Sequence, residues 1–188
     1  LYFLYEDSGK TLLRDSTNNI DLINSEVTIK DFAFNNEKTY VIANSFSNPD
    51  EVYELSNSQL TKISKANESF TKKVKTWDCQ YKRIDTGKSE IDTWGIFVGN
   101  NKPTILNIHG GPASQYAFTF FDEFQTYASA GFNVIACNPR GSSGRGHDFL
   151  RDVCGNKWGV TDMHDVLTSF KSMKKEMGIT SKNAVSYT

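Results

Sequence analysis

Residues 103–112 read Pro-Thr-Ile-Leu-Asn-Ile-His-Gly-Gly-Pro, and this stretch decides the fold prediction. The run at 103–108 is short and apolar, as is typical of a strand buried on both faces of a parallel sheet. A second run of this kind, Asn-Val-Ile-Ala-Cys-Asn, occupies residues 133–138. Between them apolar residues recur at helical spacing, and Gly131 supplies the stop that commonly ends a helix. The order strand–helix–strand predicts α/β architecture from residue 84 onward.

A second amphipathic helix is predicted to follow, from about Thr161 to Gly178. Its apolar residues form one stripe at helical spacing: Met163, Val166, Leu167, Phe170, Met173 and Met177. Lysines in its last turns complement the negative end of the helix dipole. Another strand is predicted at 183–188.

Residues 1–64 show a different pattern, in which short runs rich in Phe, Tyr, Val and Ile alternate with polar turns. Six strands are predicted there: 1–7, 11–15, 27–35, 38–46, 51–56 and 59–63. The predicted turns are Ser8-Gly9, Asn35-Asn36, Asn48-Pro49-Asp50 and Ser56-Asn57-Ser58. The last four strands would form an antiparallel sheet of the size of a propeller blade, and the first two would end a preceding blade. One and a half blades cannot close a ring, so we expect a piece of a longer protein. The polar, basic stretch at 65–83 is expected to be a linker.

Charge and composition exclude several classes of function. The 188 residues contain 21 Lys+Arg against 22 Asp+Glu, a net charge of -1, which argues against a sequence-independent nucleic-acid surface. No apolar run approaches the roughly 20 residues of a membrane span. Three cysteines are an odd count at wide spacing, so we expect reduced thiols and a cytoplasmic location rather than a disulfide framework.

The pair Gly110-Gly111 is the first candidate for chemistry. Two glycines directly after a buried strand give the backbone unusual freedom and leave N–H groups facing open space. In α/β-hydrolases an N–H from the loop after such a strand forms half of the oxyanion hole. On these residues alone, a tight turn leaving a strand explains the pattern about equally well.

The surrounding motifs favour the catalytic interpretation. The segment 109–112 (HGGP) is followed by 138–146 (NPRGSSGRG) and by 158–162 (WGVTD). This ordered set resembles the prolyl oligopeptidase family of serine peptidases, especially its acylaminoacyl-peptidase-like and dipeptidyl-peptidase-like branches. Residues 49–54 and Leu60-Thr61 resemble the last propeller blade of that family. The resemblance implies the end of a β-propeller (1–64), a linker (65–83) and the first half of an α/β-hydrolase domain (84–188).

The resemblance also implies roles for individual residues. Gly111 would supply the oxyanion N–H, with His109 and Gly110 shaping the loop. Three charged residues would pair beneath the site: Arg140, Asp162 and Asp165. The order of triad residues in α/β-hydrolases is Ser, acid, His, so the nucleophile is expected just after Thr188 and the chain alone is expected to be inactive. Short peptides are the implied substrates, with no cofactor, metal, nucleic acid or membrane.

The sequence departs from the family pattern at two places. An aromatic residue usually stands where this chain has Arg145, and an acidic residue where it has Asn156-Lys157. Neither position is expected to touch the chemistry.

Several alternatives remain open at this stage. A carboxylesterase could use the same loop, and a non-catalytic fragment could act as an interaction module. Weaker sites are a phosphate cradle at 141–146, which matches no known phosphate motif, and a metal site at 162–165, which lacks ligand spacing. Four further side chains are poor candidates for a triad: His109, His147, His164 and Ser186.

Overall fold

The computed structural model describes residues 1–35, 38–111 and 113–187. Three residues of the sequence predictions lie outside the described residues: Asn36, Pro112 and Thr188. The chain forms two compact units. Unit 1 comprises Leu1–Thr76 and Ala117–Phe120, and unit 2 comprises Trp77–Tyr116 and Phe121–Thr188.

In the part of the chain that the structure describes, unit 1 is a β-sheet with one short helix. Its strands are β1 (Tyr2–Asp7), β2 (Lys10–Asp15), β3 (Ile20–Asp21), β4 (Thr28–Asn35), β5 (Lys38–Ser45), β6 (Asn48–Ser56) and β7 (Gln59–Lys62), and its helix is α1 (Glu68–Lys73). Strands β4 to β7 pair antiparallel in chain order, as predicted. The hairpin β1–β2 joins them through a single parallel pair between β2 and β4.

Two tight hairpins of unit 1 follow directly from turn chemistry. Ser8-Gly9 connects β1 to β2 and Asn57-Ser58 connects β6 to β7, and all four residues have positive φ between 49° and 77°. Two consecutive positive φ angles define the turn whose twist matches that of paired strands. The predicted turns at these two places are confirmed.

The prediction of a turn at residues 48–50 is wrong. Strand β6 already begins at Asn48, and the loop before it is Phe46-Ser47. Pro49 lies at a register shift between β5 and β6, where its missing N–H interrupts no ladder bond. A proline therefore sits inside a strand here, where the sequence pattern indicated a turn.

The core of unit 1 comes mainly from side chains of its strands. One cluster of buried residues, all on strands except Ile23, is Leu13, Ile23, Ile29, Val41, Ala43 and Leu55. The stretch 65–83, expected as a linker, contains α1 and the first residues of the sheet of unit 2.

Unit 2 is a mixed sheet with helices. Its elements are β8 (Gln80–Asp85), β9 (Glu90–Ile96), β10 (Thr104–Asn107), α2 (Asp122–Ser129), β11 (Asn133–Asn138), α3 (Gly146–Arg151), a 3₁₀ turn (Gly155–Lys157), α4 (Thr161–Glu176) and β12 (Ala184–Tyr187). The strand order is β12-β10-β11-β9-β8. Strand β10 runs parallel to both β11 and β12, whereas β9 is antiparallel to its neighbours. The predicted α/β architecture is confirmed at this level, and the carboxyl ends of β10 and β12 share one edge.

Helix α4 packs part of its predicted stripe against the sheet. Met173 is fully buried and belongs to a cluster with Ile135, and Gly178 (φ 65°) follows the helix as predicted. Met163 and Leu167, which belong to the same stripe, are about half exposed. None of the helices in the described ranges is both long and apolar enough to cross a membrane.

Candidate active site

The loop after β10 presents one backbone donor to open space. Gly110 and Gly111 are exposed, and a Cβ added at either would meet no atom within 4 Å. Within the described residues, the N–H of Gly111 has no hydrogen-bond acceptor. Neither glycine has a positive φ, and the left-handed residue of this loop is Ala113 (φ 65°). The glycines therefore leave space around the N–H. The unusual backbone conformation expected at them occurs instead at Ala113, two residues after Gly111.

His109 folds back onto its own loop. Its Nδ1 lies 2.7 Å from the carbonyl oxygen of Gly110, and its Nε2 lies 3.1 Å from Oγ of Ser142. The ring also meets Tyr116 edge-on, with centroids 5.0 Å apart. Burial lowers the pKa of His109 below its usual value, although the bond to Gly110 opposes this. Both ring nitrogens of His109 thus lie against loop residues, Gly110 on its own loop and Ser142 on the loop that follows β11. The role of His109 in shaping the loop stays a prediction.

A second loop, residues 139–146, holds the first one in place. The N–H of Ala113 donates to the carbonyl of Gly141 (3.1 Å), and the N–H of Ser143 donates to that of Ser114 (3.0 Å). Gly141 has φ 100°, and a Cβ there would lie 2.8 Å from a methyl carbon of Val153. Only glycine fits this position without strain.

The charges beneath the loops pair differently from the prediction. Both oxygens of Asp165 accept from the Arg140 guanidinium, at 2.8 and 2.9 Å, and this fully buried carboxylate also accepts from the Arg140 N–H at 3.1 Å. The second partner of Arg140 is Asp152, at 2.9 Å. Asp165 is the main cause of a raised pKa for Arg140.

Asp162 does not pair with Arg140, which corrects the sequence prediction. It lies in the first turn of α4, where acidic groups suit the helix dipole. Asp152, at the end of α3, was missed because no motif includes it. Asp152 comes close to Arg140 only through the packing of α3, and the spacing of residues in the sequence does not show that packing.

The two departures from the family pattern lie away from the loop. Arg145 donates to the carbonyl of Glu90 (2.6 Å) and stacks over the ring of Phe149 at 4.7 Å. Lys157 donates to Asp152 at 2.6 Å. Neither cation contacts Gly111, in line with the expectation that they leave the chemistry alone.

The remaining candidate residues are not brought together. His147 and His164 are exposed on different helices, and Ser186 pairs in register with Leu106 inside β12. No group of His, Cys, Asp or Glu side chains in the described ranges has a geometry suited to a metal. Cys137 is buried in the core, which raises its pKa to about 12.

A cavity of about 290 Å³ opens beside the loop. Gly111, His109 and Ser142 line one part of it. Its apolar walls include Leu106, Ile108, Val153, Met163 and Leu167. The exposed N–H of Gly111 therefore adjoins a space with room for an apolar group.

Comparison with known proteins gives a consistent result. The model of the prolyl oligopeptidase family matches residues 118–188. The uncharacterized peptidase YuxL of Bacillus subtilis is 49% identical over 65 residues, which are 35% of this chain and 10% of the relative. Acylamino-acid-releasing enzyme 2 of rice (Oryza sativa subsp. japonica) is 40% identical over 85 residues, 43% of this chain and 11% of the enzyme.

Solved structures extend the similarity over nearly the whole chain. An acylaminoacyl peptidase in complex with Z-Gly-Gly-Phe-chloromethyl ketone is 25% identical, with a TM-score of 0.88 over 98% of this chain and 31% of the other. The acylaminoacyl peptidase of Pyrococcus horikoshii is 26% identical, with a TM-score of 0.83 over 93% of this chain and 29% of the other. The chain thus spans about a tenth of these curated relatives and less than a third of these solved chains.

Proposed function

We propose, on the premise that this chain is related to the prolyl oligopeptidase family of serine peptidases, that the whole protein hydrolyses short peptides. Its specificity would be of the acylaminoacyl- or dipeptidyl-peptidase kind. Residues 1–64 would be the last one and a half blades of a β-propeller and residues 84–188 the first half of the hydrolase domain. The reaction would be acyl transfer to a serine, assisted by His and Asp, with no cofactor.

The observation that supports this function best is the exposed N–H of Gly111. When a nucleophile attacks a carbonyl group, negative charge develops on the carbonyl oxygen, and a fixed N–H donor stabilises it. The Gly111 N–H has no acceptor among the described residues and adjoins the apolar cavity. Removing one such donor typically slows a reaction by about 10²–10³.

Strand β12 supports the same function. It runs parallel to β10 with Asn107 opposite Tyr187, so a chain continuing beyond Thr188 would leave the sheet level with the loop 108–111. In α/β-hydrolases the nucleophilic serine sits on a sharp turn directly after such a strand. A serine there would stand beside the Gly111 donor.

The test uses the whole protein and two substitutions of one residue. Gly111→Pro removes the N–H, whereas Gly111→Ala keeps it, and the space around Gly111 accommodates a Cβ. With acylaminoacyl and dipeptidyl chromogenic substrates, we expect kcat/KM to fall by about 10²–10³ for the proline variant and far less for the alanine variant. Equal losses, or a whole protein that neither turns over these substrates nor reacts with a fluorophosphonate, would contradict the proposal.

The same assays separate the two alternatives. A strong preference for p-nitrophenyl esters over every peptide substrate would favour a carboxylesterase. An isolated chain that self-associates in light scattering, from a protein without fluorophosphonate labelling, would favour a non-catalytic interaction module.

A further inference from the structure

Helix α4 has two apolar faces, and the sheet of unit 2 covers one of them. Val166 and Met173 are buried in clusters with residues of the sheet. Met163 and Leu167 lie one turn apart on another face of the helix, and they are 54% and 43% exposed. Trp158, just before the helix, is 57% exposed. A group of large exposed apolar side chains is typical of a surface that other protein covers.

These three exposed side chains form walls of the cavity of about 290 Å³. Its floor includes Leu106 of β10 and Ser186 of β12. The two residues are paired in register, so their side chains lie on the same face of the sheet. Helix α4 itself packs on β8, β9 and β11. The cavity therefore lies beside α4, over the part of this face that β10 and β12 form.

The connections between strands show how the helices are distributed over the two faces. The chain passes from β10 through α2 to β11, and then from β11 through α4 to β12. The three strands are parallel, and the two crossings run in opposite directions across the sheet. Because such crossovers are almost always right-handed, α2 and α4 must lie on opposite faces.

Side-chain contacts agree with this arrangement. Asn107 accepts a hydrogen bond from the hydroxyl of Tyr116, whose ring packs on Phe124 of α2. Leu106, the preceding residue of the same strand, packs with Val166 of α4 instead. Neighbouring residues of β10 thus face different helices.

The same rule places the helix that would follow β12. Within the described ranges β12 is the outermost strand, so a crossover to a further strand at its edge would continue in the direction of the β11–β12 crossing. Its helix would then lie on the α4 face, above β12 and β10. Packed helices are about 8–10 Å apart, so this helix would reach Met163 and Leu167.

The end of the cavity near the Gly111 loop suits the start of such a helix. The proposed serine turn leads from β12 directly into a helix, which would begin at the carboxyl edge of the sheet near Gly111. Asp162, in the first turn of α4, also lines the cavity. A carboxylate stabilises the positive N-terminal end of a helix, so charge as well as apolar surface matches this occupant.

We propose that the cavity and the exposed face of α4 are the docking surface for the helix that directly follows β12 in the whole protein, and that the cavity is not a substrate pocket. The proposal rests on the fold of the proposed function, in which a turn and a helix follow β12. Peptide substrates would then place their side chains elsewhere around Gly111.

Photo-crosslinking in the whole protein identifies what covers this face. With p-benzoylphenylalanine in place of Leu167, we expect a crosslink to a peptide within about 20 residues after Thr188, because a helix of about 11 residues follows the turn. The matched control carries the same group in place of Lys175, which is exposed and lies two residues after the buried Met173, on the opposite side of the helix. It should give no such product. A Leu167 crosslink to any other segment or to a second copy of the protein, or no crosslink, would overturn the proposal.

Thiol labelling tests the same surface with a small side chain. In dilute solution, Leu167→Cys in the 188-residue chain should react with a maleimide about as fast as Lys175→Cys, as followed by mass spectrometry of the labelled peptides. In the whole protein we expect the rate at position 167 to fall by more than about tenfold and the rate at position 175 to stay the same. A covered thiol reacts only when the structure over it opens. Equal rates at position 167 in the two proteins would contradict the proposal, and so would protection that appears only when a peptide substrate is added.

Neither measurement depends on catalysis. A whole protein that gives the expected crosslink and protection, but neither turns over peptides nor reacts with a fluorophosphonate, would refute the proposed function and leave the docking surface standing. An active peptidase in which position 167 stays reactive would refute the docking surface alone.

Discussion

The buried ion pair between Arg140 and Asp165 allows a prediction about the free energy of unfolding of the chain. In Asp165→Asn the side chain keeps its shape but loses its charge and turns an amide N–H₂ toward one donor of Arg140. The carboxylate is fully buried and accepts three hydrogen bonds from Arg140, whose side chain is 14% exposed. Removing one partner of a buried pair typically costs 3–5 kcal/mol. Because Asp152 still pairs with Arg140, we expect about 3 kcal/mol, at the lower end of this range.

Urea unfolding, monitored by tryptophan fluorescence, measures this loss of stability in unit 2. All three tryptophans, at positions 77, 94 and 158, belong to unit 2, so the signal reports the unit that contains the ion pair. The matched control is Asp152→Asn, which removes the other partner of Arg140. The side chain of Asp152 is 31% exposed, so its loss should cost within about 1 kcal/mol. If both variants lowered the free energy of unfolding equally, the argument that burial determines the contribution of the Arg140–Asp165 pair to stability would be refuted.

Three further predictions concern other parts of the chain. Cys137, whose pKa burial raises to about 12, should react with Ellman's reagent only after unfolding, whereas the exposed Cys154 should react in the native chain. Gly95→Ala should cost about 1–3 kcal/mol in the same urea assay, because its Cβ would lie 2.5 Å from a methionine sulfur. Glu51 has a lowered pKa, chiefly because it accepts from the hydroxyl of Ser64 and then from a backbone N–H. Its contribution to stability is present above its usual pKa of 4.5 and is lost as the pH falls through the lower folded value, so Glu51→Gln should flatten the acid limb of the unfolding curve measured by amide exchange.

The sequence predicted what local pattern determines and missed what distant packing determines. Strand alternation, the hairpin at Ser8-Gly9 and the helix end at Gly178 all follow from neighbouring residues. The sequence around Pro49 indicated a turn. The structure accommodates this proline inside β6 because the pairing with β5 shifts register there, and the sequence pattern does not show a register shift. Asp152 escaped notice for a similar reason, since its contact with Arg140 arises only when α3 packs. The exposure of Met163 likewise depends on what covers α4, which periodicity does not record.

The candidate site itself combines both kinds of information. The motif after β10 was visible in the sequence, but the loop that carries the Gly111 N–H also contacts a loop about 30 residues later, at His109–Ser142 and Ala113–Gly141. All of these contacts lie within unit 2. A donor oriented by its own unit costs no reorganisation when charge develops on a substrate oxygen. Loss of the Gly111 N–H in Gly111→Pro should therefore lower kcat, which reports the charged transition state, more than it raises KM, which reports the binding of uncharged peptide groups.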